Sequence, residues 1–296
     1  MELLLSGELF FAAMLVGSIY VLVAIGLNLI YGTMRLLNVA HGDLVMIGAY
    51  VSYWLFVLTG MSPLISMIFS AAITSVIGVA IYLSLFRRFL DSPNIAKRIE
   101  ANSLLIFFGI STIFQNVAVL MFDATPRGYR YRDDIIQLGN FGIAENRLIV
   151  LAFTAALCAI IIAFLRSNIY GLAIKALIQH RDAAAVVGID IERVQILSFA
   201  AGFGIAGLAG SLLSMTEQIS PFMGFPFTIG SFVVVILGGL GNLGGGMAAG
   251  MFLGIVETYV VAMTSPSLRS VLVNAVFIIA LFFRPEGLLS GRRKFR

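Results

Sequence analysis

Nine apolar stretches, most of them near membrane-spanning length, divide this chain, and short charged clusters separate them. A helix needs about 20 apolar residues to cross roughly 30 Å of hydrocarbon, because lipid offers no partner for a backbone N–H or C=O. The stretches are 9–30, 42–58, 64–86, 103–122, 148–165, 194–215, 228–243, 247–263 and 270–283. They predict an all-α, polytopic membrane protein with eight or nine transmembrane segments, in one membrane domain over residues 1–296. Segments 42–58 and 228–243 are short and adjoin polar or Gly-rich sequence, so each reads as a full span, a broken helix or a re-entrant piece.

Composition excludes the soluble alternatives. Apolar residues make up 60% of the chain and charged residues 11%, against about 25% charged in a soluble domain. Mean hydropathy is +1.02. A soluble globule, a disordered chain and a nucleic-acid module are all incompatible with so little charge. The single Cys158 removes an internal disulfide scaffold. The first stretch, 9–30, lacks a basic leader and is longer than a signal-peptide core, so it reads as a retained span.

The net charge of +4 comes from basic clusters between the spans, the pattern that marks cytoplasmic loops. Arg87, Arg88, Lys97 and Arg98 form one cluster, and Arg284, Arg292, Arg293, Lys294 and Arg296 form another. Both are expected inside the cell, together with the loop 166–193. Loop 123–147, with its charges balanced, is expected outside. Nine crossings then put the N-terminus outside and the C-terminus in the cytoplasm.

Several motifs resolve by elimination. Gly202-Phe-Gly204-Ile-Ala-Gly207 matches a dinucleotide fingerprint, but it lies inside an apolar run rather than between a strand and a helix. Small residues at this spacing let membrane helices approach closely. The run from Gly238 to Gly246 has no following Lys or hydroxyl to hold a phosphate and Mg²⁺. Gly238, Gly239 and Gly241 therefore mark a helix break, and any ATP is hydrolysed on another subunit. Asn38, His41 and Asp43 are polar residues among apolar runs, suited to capping a helix or to lining a solute path. With only His41 and His180 present, no metal site is expected. Gln115, Asn116 and Glu257 lie within spans and join the candidate pathway. Asn38 to Gly42 and Asn242 to Gly246 share an Asn-to-Gly spacing that hints at an internal repeat.

Loop 166–193 carries Arg181-Asp182-Ala183-Ala184 through Gly188 to Asp190. This is the spacing of the E-A-A-x-x-x-G coupling loop, with Asp in place of Glu and without the later Pro. Alanines give a helix a flat face for a partner's groove, and Gly188 can end it in a left-handed conformation.

Taken together, five blocks resemble the permease subunits of branched-chain amino acid ABC importers, a family that includes urea and amide permeases. The blocks are Gly26 to Gly32, Leu37-Asn-Val-Ala-His-Gly-Asp43 through Gly48, Arg181 to Gly188, Leu237 to Gly241, and Phe283 to Gly287. The resemblance implies an inner-membrane complex with a second permease chain, two cytoplasmic ATP-binding subunits and a periplasmic substrate-binding protein. It implies that ATP and Mg²⁺ sit on the ATPase, with no cofactor on this chain. It places ATPase docking at Arg181–Gly188 and contact with the binding protein at loops 123–147 and 217–226. The implied cargo is leucine, isoleucine or valine, with urea or a short amide as the alternative. An ion-coupled carrier using Glu257 or Asp43 is the competing class, and an intramembrane enzyme has no supporting motif.

Overall fold

A computed structural model describes residues 6–91, 98–139, 141–265 and 268–283. Helix α1 (Gly7–Met34) is followed by α2 (His41–Thr59) and α3 (Pro63–Ile81). A π-helical turn at Tyr82–Phe86 leads from α3 into α4 (Arg87–Asp91), and then comes α5 (Ile99–Phe122). A β-hairpin, β1 (Ile135–Leu138) against β2 (Phe141–Ala144), precedes α6 (Glu145–Ser167), α7 (Ile169–Gln179) and the short α8 (Arg181–Val186). The chain ends in α9 (Ile191–Leu213), α10 (Gly224–Gly238), α11 (Leu243–Met263) and α12 (Arg269–Phe283). Among the described residues, seven helices are long and apolar enough to cross a membrane: the five at Gly7–Met34, His41–Thr59, Pro63–Phe89, Ile99–Phe122 and Glu145–Ser167, then Ile191–Leu213 and Leu243–Met263.

Each of the nine expected stretches contains a helix, but one of them is interrupted. Segment 228–243 is not a single span. Its helix starts earlier, at Gly224, with Pro226 in the first turn where a missing N–H costs nothing. It stops at Gly238, because Gly239 and Gly241 take positive φ angles of 91° and 79°. At 1.5 Å per residue its 15 residues reach only about 22 Å, short of the bilayer's width. The next helix begins at Leu243, four residues before the expected 247. The tail cluster and the Phe283–Gly287 block lie beyond the described residues from position 284 onward, as does Lys97.

Helix α1 is the axis of the bundle. From Ser18 to Ile30 every residue is buried, the pattern of a helix packed on all sides. It packs along α9, α10 and α11, while α9 also lies along α2 and α3. Two faces follow. The hairpin face holds the start of α1, where the Phe11 and Phe141 rings are 5.9 Å apart, and the end of α2. The opposite face holds α7, α8 and the start of α9, where Arg87 pairs with Glu192 at 2.9 Å. Beneath it, Tyr82, Phe86, Phe107, Phe199 and Phe203 form one aromatic cluster, with Phe199 and Phe203 stacked at 4.6 Å.

The glycines of the false dinucleotide motif lie at these crossings. A Cβ on Gly202 would strike the carbonyl of Gly26 in α1, and one on Gly210 would overlap the carbonyl of Val45 in α2. Gly210→Val is therefore expected to destabilise the bundle by about 1–3 kcal/mol or more, read as a lower melting temperature in detergent. Gly109→Ala, whose Cβ meets nothing, should leave that temperature unchanged.

Candidate functional site

Two helices begin inside the bundle rather than at its surface. α2 starts at His41, level with the middle of α1, because the His41 ring bonds the carbonyl of Val23 through Nε2 at 3.0 Å. α10 starts at Gly224 directly opposite. A Cβ on either Gly42 or Gly224 would overlap the other's backbone carbonyl, so only glycine permits this meeting. The Gly42 N–H donates to Thr228 Oγ1 at 2.9 Å, and that hydroxyl reaches back to the Gly224 carbonyl at 3.4 Å. Two positive helix ends thus face each other across a few backbone atoms.

The polar residues of the Asn38–Asp43 block surround this break, all of them buried. Neither Asn38 nor Asp43 caps α2 through its side chain: the N-cap residue is Ala40, with no side-chain bond. Asp43 instead crosses to α5, where Gln115 Nε2 donates to its Oδ1 at 3.0 Å and to Ser111 Oγ at 3.1 Å. The Asn38 amide has no hydrogen-bond partner among the described residues. The structure therefore brings Asn38, His41, Asp43 and Gln115 into one neighbourhood. Asn116 stands apart, exposed on α5 and bonded to its own helix at Thr112 O, 2.8 Å. Glu257 is also separate, buried between α11 and α1, where Tyr20 OH donates to it at 2.7 Å.

Gly238, Gly239 and Gly241 shape the turn between α10 and α11. Asn28 of α1 accepts the Gly241 N–H at 2.8 Å, and Asn242 caps α11 through Gly245 N at 3.1 Å. The Asn242–Gly246 block therefore lies at the far end of α10 from Gly42, and the two Asn-to-Gly blocks do not meet.

In the loop, His180 caps α8 through Ala183 N at 3.2 Å, and Gly188 follows it at φ 85°. Ala184 turns inward and is 3% exposed, whereas Val186 and Val187 are 87% and 74% exposed. Arg181, Asp182 and Ala183 are exposed as well. Asp190 caps α9 at Arg193 N, 3.1 Å, and pairs with the Arg193 guanidinium at 2.8 Å.

Sequence reading passed over the closure of the hairpin face. Arg127 and Ile219 form an antiparallel backbone bridge with N···O distances of 2.8 and 2.7 Å. Tyr129 and Ser214 share a hydrogen bond of 2.7 Å. Burial pushes the Tyr129 phenol above its ordinary pKa, against the opposing bonds from Ser214 and Ser52, so it stays neutral at physiological pH. The polar loop residues offered no hydropathy signal for this pairing.

A bundle of membrane-length helices, interrupted at mid-depth by facing helix ends, defines a multi-pass helical membrane protein with a polar break in its core. The model of the family described as branched-chain amino acid transport system, permease component, matches residues 9–281, and the chain belongs to that family. It is 28% identical to the high-affinity branched-chain amino acid transport system permease protein BraD of Pseudomonas aeruginosa, over 93% of this chain and 92% of that one. It is 29% identical to the corresponding protein LivH of Escherichia coli K12, over 94% of both. The fold resembles a chain of PsaBC from Streptococcus pneumoniae in complex with Fab, with a TM-score of 0.52 at 11% identity, covering 96% of this chain and 94% of that one.

Thr228→Val removes the hydroxyl that accepts from the buried Gly42 N–H. An unsatisfied buried donor costs about 1–3 kcal/mol. A lower melting temperature is expected for Thr228→Val, and Thr228→Ser should restore it.

Proposed function

We propose that this chain is the translocation subunit of an ABC importer carrying leucine, isoleucine and valine across the inner membrane. The match of the permease family model across residues 9–281 carries this reading. Relatives named for branched-chain amino acid transport, similar over nearly their full length, support it. In this reading the chain pairs with a second permease and receives solute from a periplasmic binding protein. Two ATP-binding subunits hold ATP and Mg²⁺. No cofactor and no catalysis belong to this chain, and its C-terminus faces the cytoplasm.

The geometry supplies a route by which such a partner acts. The exposed Val186–Val187 tip, flanked by Arg181, Asp182 and Asp190, fits an apolar cleft with a charged rim on the ATPase. Ile178, two residues before the His180 cap, packs against Gly32 of α1, and Gly241 lies beside it. Gly241 belongs to the turn that ends α10, whose other end is Gly224 at the break. Displacing α8 therefore pulls on the turn, and the turn shifts α10 against α2. Alternating access follows if that shift opens the Gly42–Gly224 contact on one side at a time.

The reading is tested in proteoliposomes holding the permeases, the ATPases and the binding protein. Leucine uptake should need ATP, ignore a protonophore and be unaffected by excess urea. Uptake by this chain alone, collapsed by the protonophore, would sink it. Asp43→Asn and Glu257→Gln keep an acceptor oxygen for Gln115 and Tyr20, so uptake should stay within about fivefold of wild type, the change expected if one hydrogen bond worth about 1 kcal/mol is weakened. Val187→Glu should abolish co-purification of the ATPase while leaving the melting temperature intact, since the side chain packs against little.

A further inference from the structure

Between α2 and α5 at the hairpin face lies a group of hydrogen-bond donors that the fold leaves without acceptors. Tyr50 and Trp54 are four residues apart and share one face of α2. Phe122 stacks on Tyr50 at 4.4 Å and lies 5.7 Å from Trp54, flooring the site with aromatic rings. The Arg127 guanidinium sits over the Trp54 ring, 5.5 Å from its centroid. Tyr50 OH, Trp54 Nε1 and Arg127 Nε are all buried and have no hydrogen-bond partner among the described residues. None of the ion pairs among those residues includes Arg127.

The chemistry of the set is one-sided. An indole N–H and a guanidinium only donate, and the phenol can donate a third bond. Buried donors are almost always satisfied, so the set calls for an acceptor bearing negative charge. A carboxylate matches: its two oxygens take the guanidinium fork and a neighbouring donor together. An ammonium group would meet the like charge of the Arg127 guanidinium here. The surrounding Tyr50, Trp54 and Phe122 rings suit a branched aliphatic side chain.

We propose that Tyr50, Trp54 and Arg127 form a receiving subsite for the α-carboxylate of the transported amino acid, at the hairpin-side end of the α2–α5 seam. The proposal rests on the amino acid reading above. Its placement supports it: the same face of α2 carries Asp43 seven residues below Tyr50, bonded to Gln115 of α5, so the seam leads from the subsite to the break. The backbone bridge from Arg127 to Ile219 anchors the loop that carries the guanidinium and ties the subsite to the loop that precedes α10.

Trp54 is the chain's sole tryptophan, so its fluorescence reports on this site alone in vesicles containing only the purified full-length chain. Titration with L-leucine and with 4-methylpentanoate should quench or shift the emission, whereas isoamylamine and urea should not. Tyr50→Phe keeps the ring stack and should weaken the leucine response several-fold. Arg127→Gln keeps the backbone bridge and should weaken it at least tenfold, with Arg127→Lys recovering part of it. An unchanged response in Arg127→Gln, equal responses to the amine and the acid, or no response to either carboxylate in wild type would overturn the proposal. So would a response to the solute-free binding protein alone, which would assign the donors to a carboxylate of that partner. A response to 4-methylpentanoate in a chain whose assembled transporter carries no leucine would separate failure of the transport reading from failure of the subsite.

Discussion

Backbone meeting backbone at glycine is the contact on which this structure depends. Lipid is as apolar as a leucine side chain, so helices in a bilayer gain little by burying apolar surface against each other. What holds them is close van der Waals fit, and here it is achieved where Gly26 meets Gly202 and where Gly210 meets Val45. The same device at Gly42 and Gly224 brings two helix ends together at mid-depth. Those ends are tolerable in the bundle because they are shut away from lipid and joined through the Thr228 hydroxyl.

That placement explains why polar residues appear in so apolar a chain. An interrupted helix exposes backbone groups, and each needs a partner drawn from inside the protein. His41 bonds the carbonyl of Val23, Asn28 accepts from Gly241, and Asn242 caps α11. Ser70 bonds the Gly48 carbonyl and Ser211 that of Pro63. Most of the buried polar side chains thus serve the backbone. Those left over include Asn38 at the break, Ser231 on α10 and the donors around Arg127, whose polar atoms find no hydrogen-bond partner among the described residues.

The long helices were legible because hydrocarbon thickness sets their length and an apolar window measures it directly. Residues 9–30 and 194–215 fall within two residues of the observed ends or inside them. The α10 boundary was not legible in the same way. Hydropathy stays high from Phe227 through Leu240, and a window cannot see that Gly239 reverses the chain. The Asn38–Asp43 block stands out as polar, and of its two possible roles, capping and lining, the structure excludes side-chain capping of α2. Capping was a fair reading of Asn and Asp before an apolar run, but the partners of His41 and Asp43 lie on α1 and α5, far away in sequence. The alanines of α8 show the same limit: composition marks a small-residue helix, but packing decides that Ala184 faces in and Val186 and Val187 face out.

The position of loop 166–193, the proposed ATPase contact, relative to the break follows from these contacts. α8 is too short to transmit force along its own axis, and its six residues are held at one end by His180 and at the other by the Gly188 turn. It is a tip on a longer lever. The lever is α7, whose Gly171 packs on Leu165 of α6 and whose Ile178 reaches Gly32. Because Gly32 and Gly241 admit the same isoleucine, a movement of α7 acts on α1 and on the α10–α11 turn at once. α1 is buried from Gly17 to Ile30 and cannot readily yield there. The turn, with its two positive-φ glycines and its bond from Gly241 to Asn28, is the softer of the two. In the proposed importer, motion entering at α8 is thereby directed into α10, whose first residue, Gly224, meets Gly42 of α2 at the break.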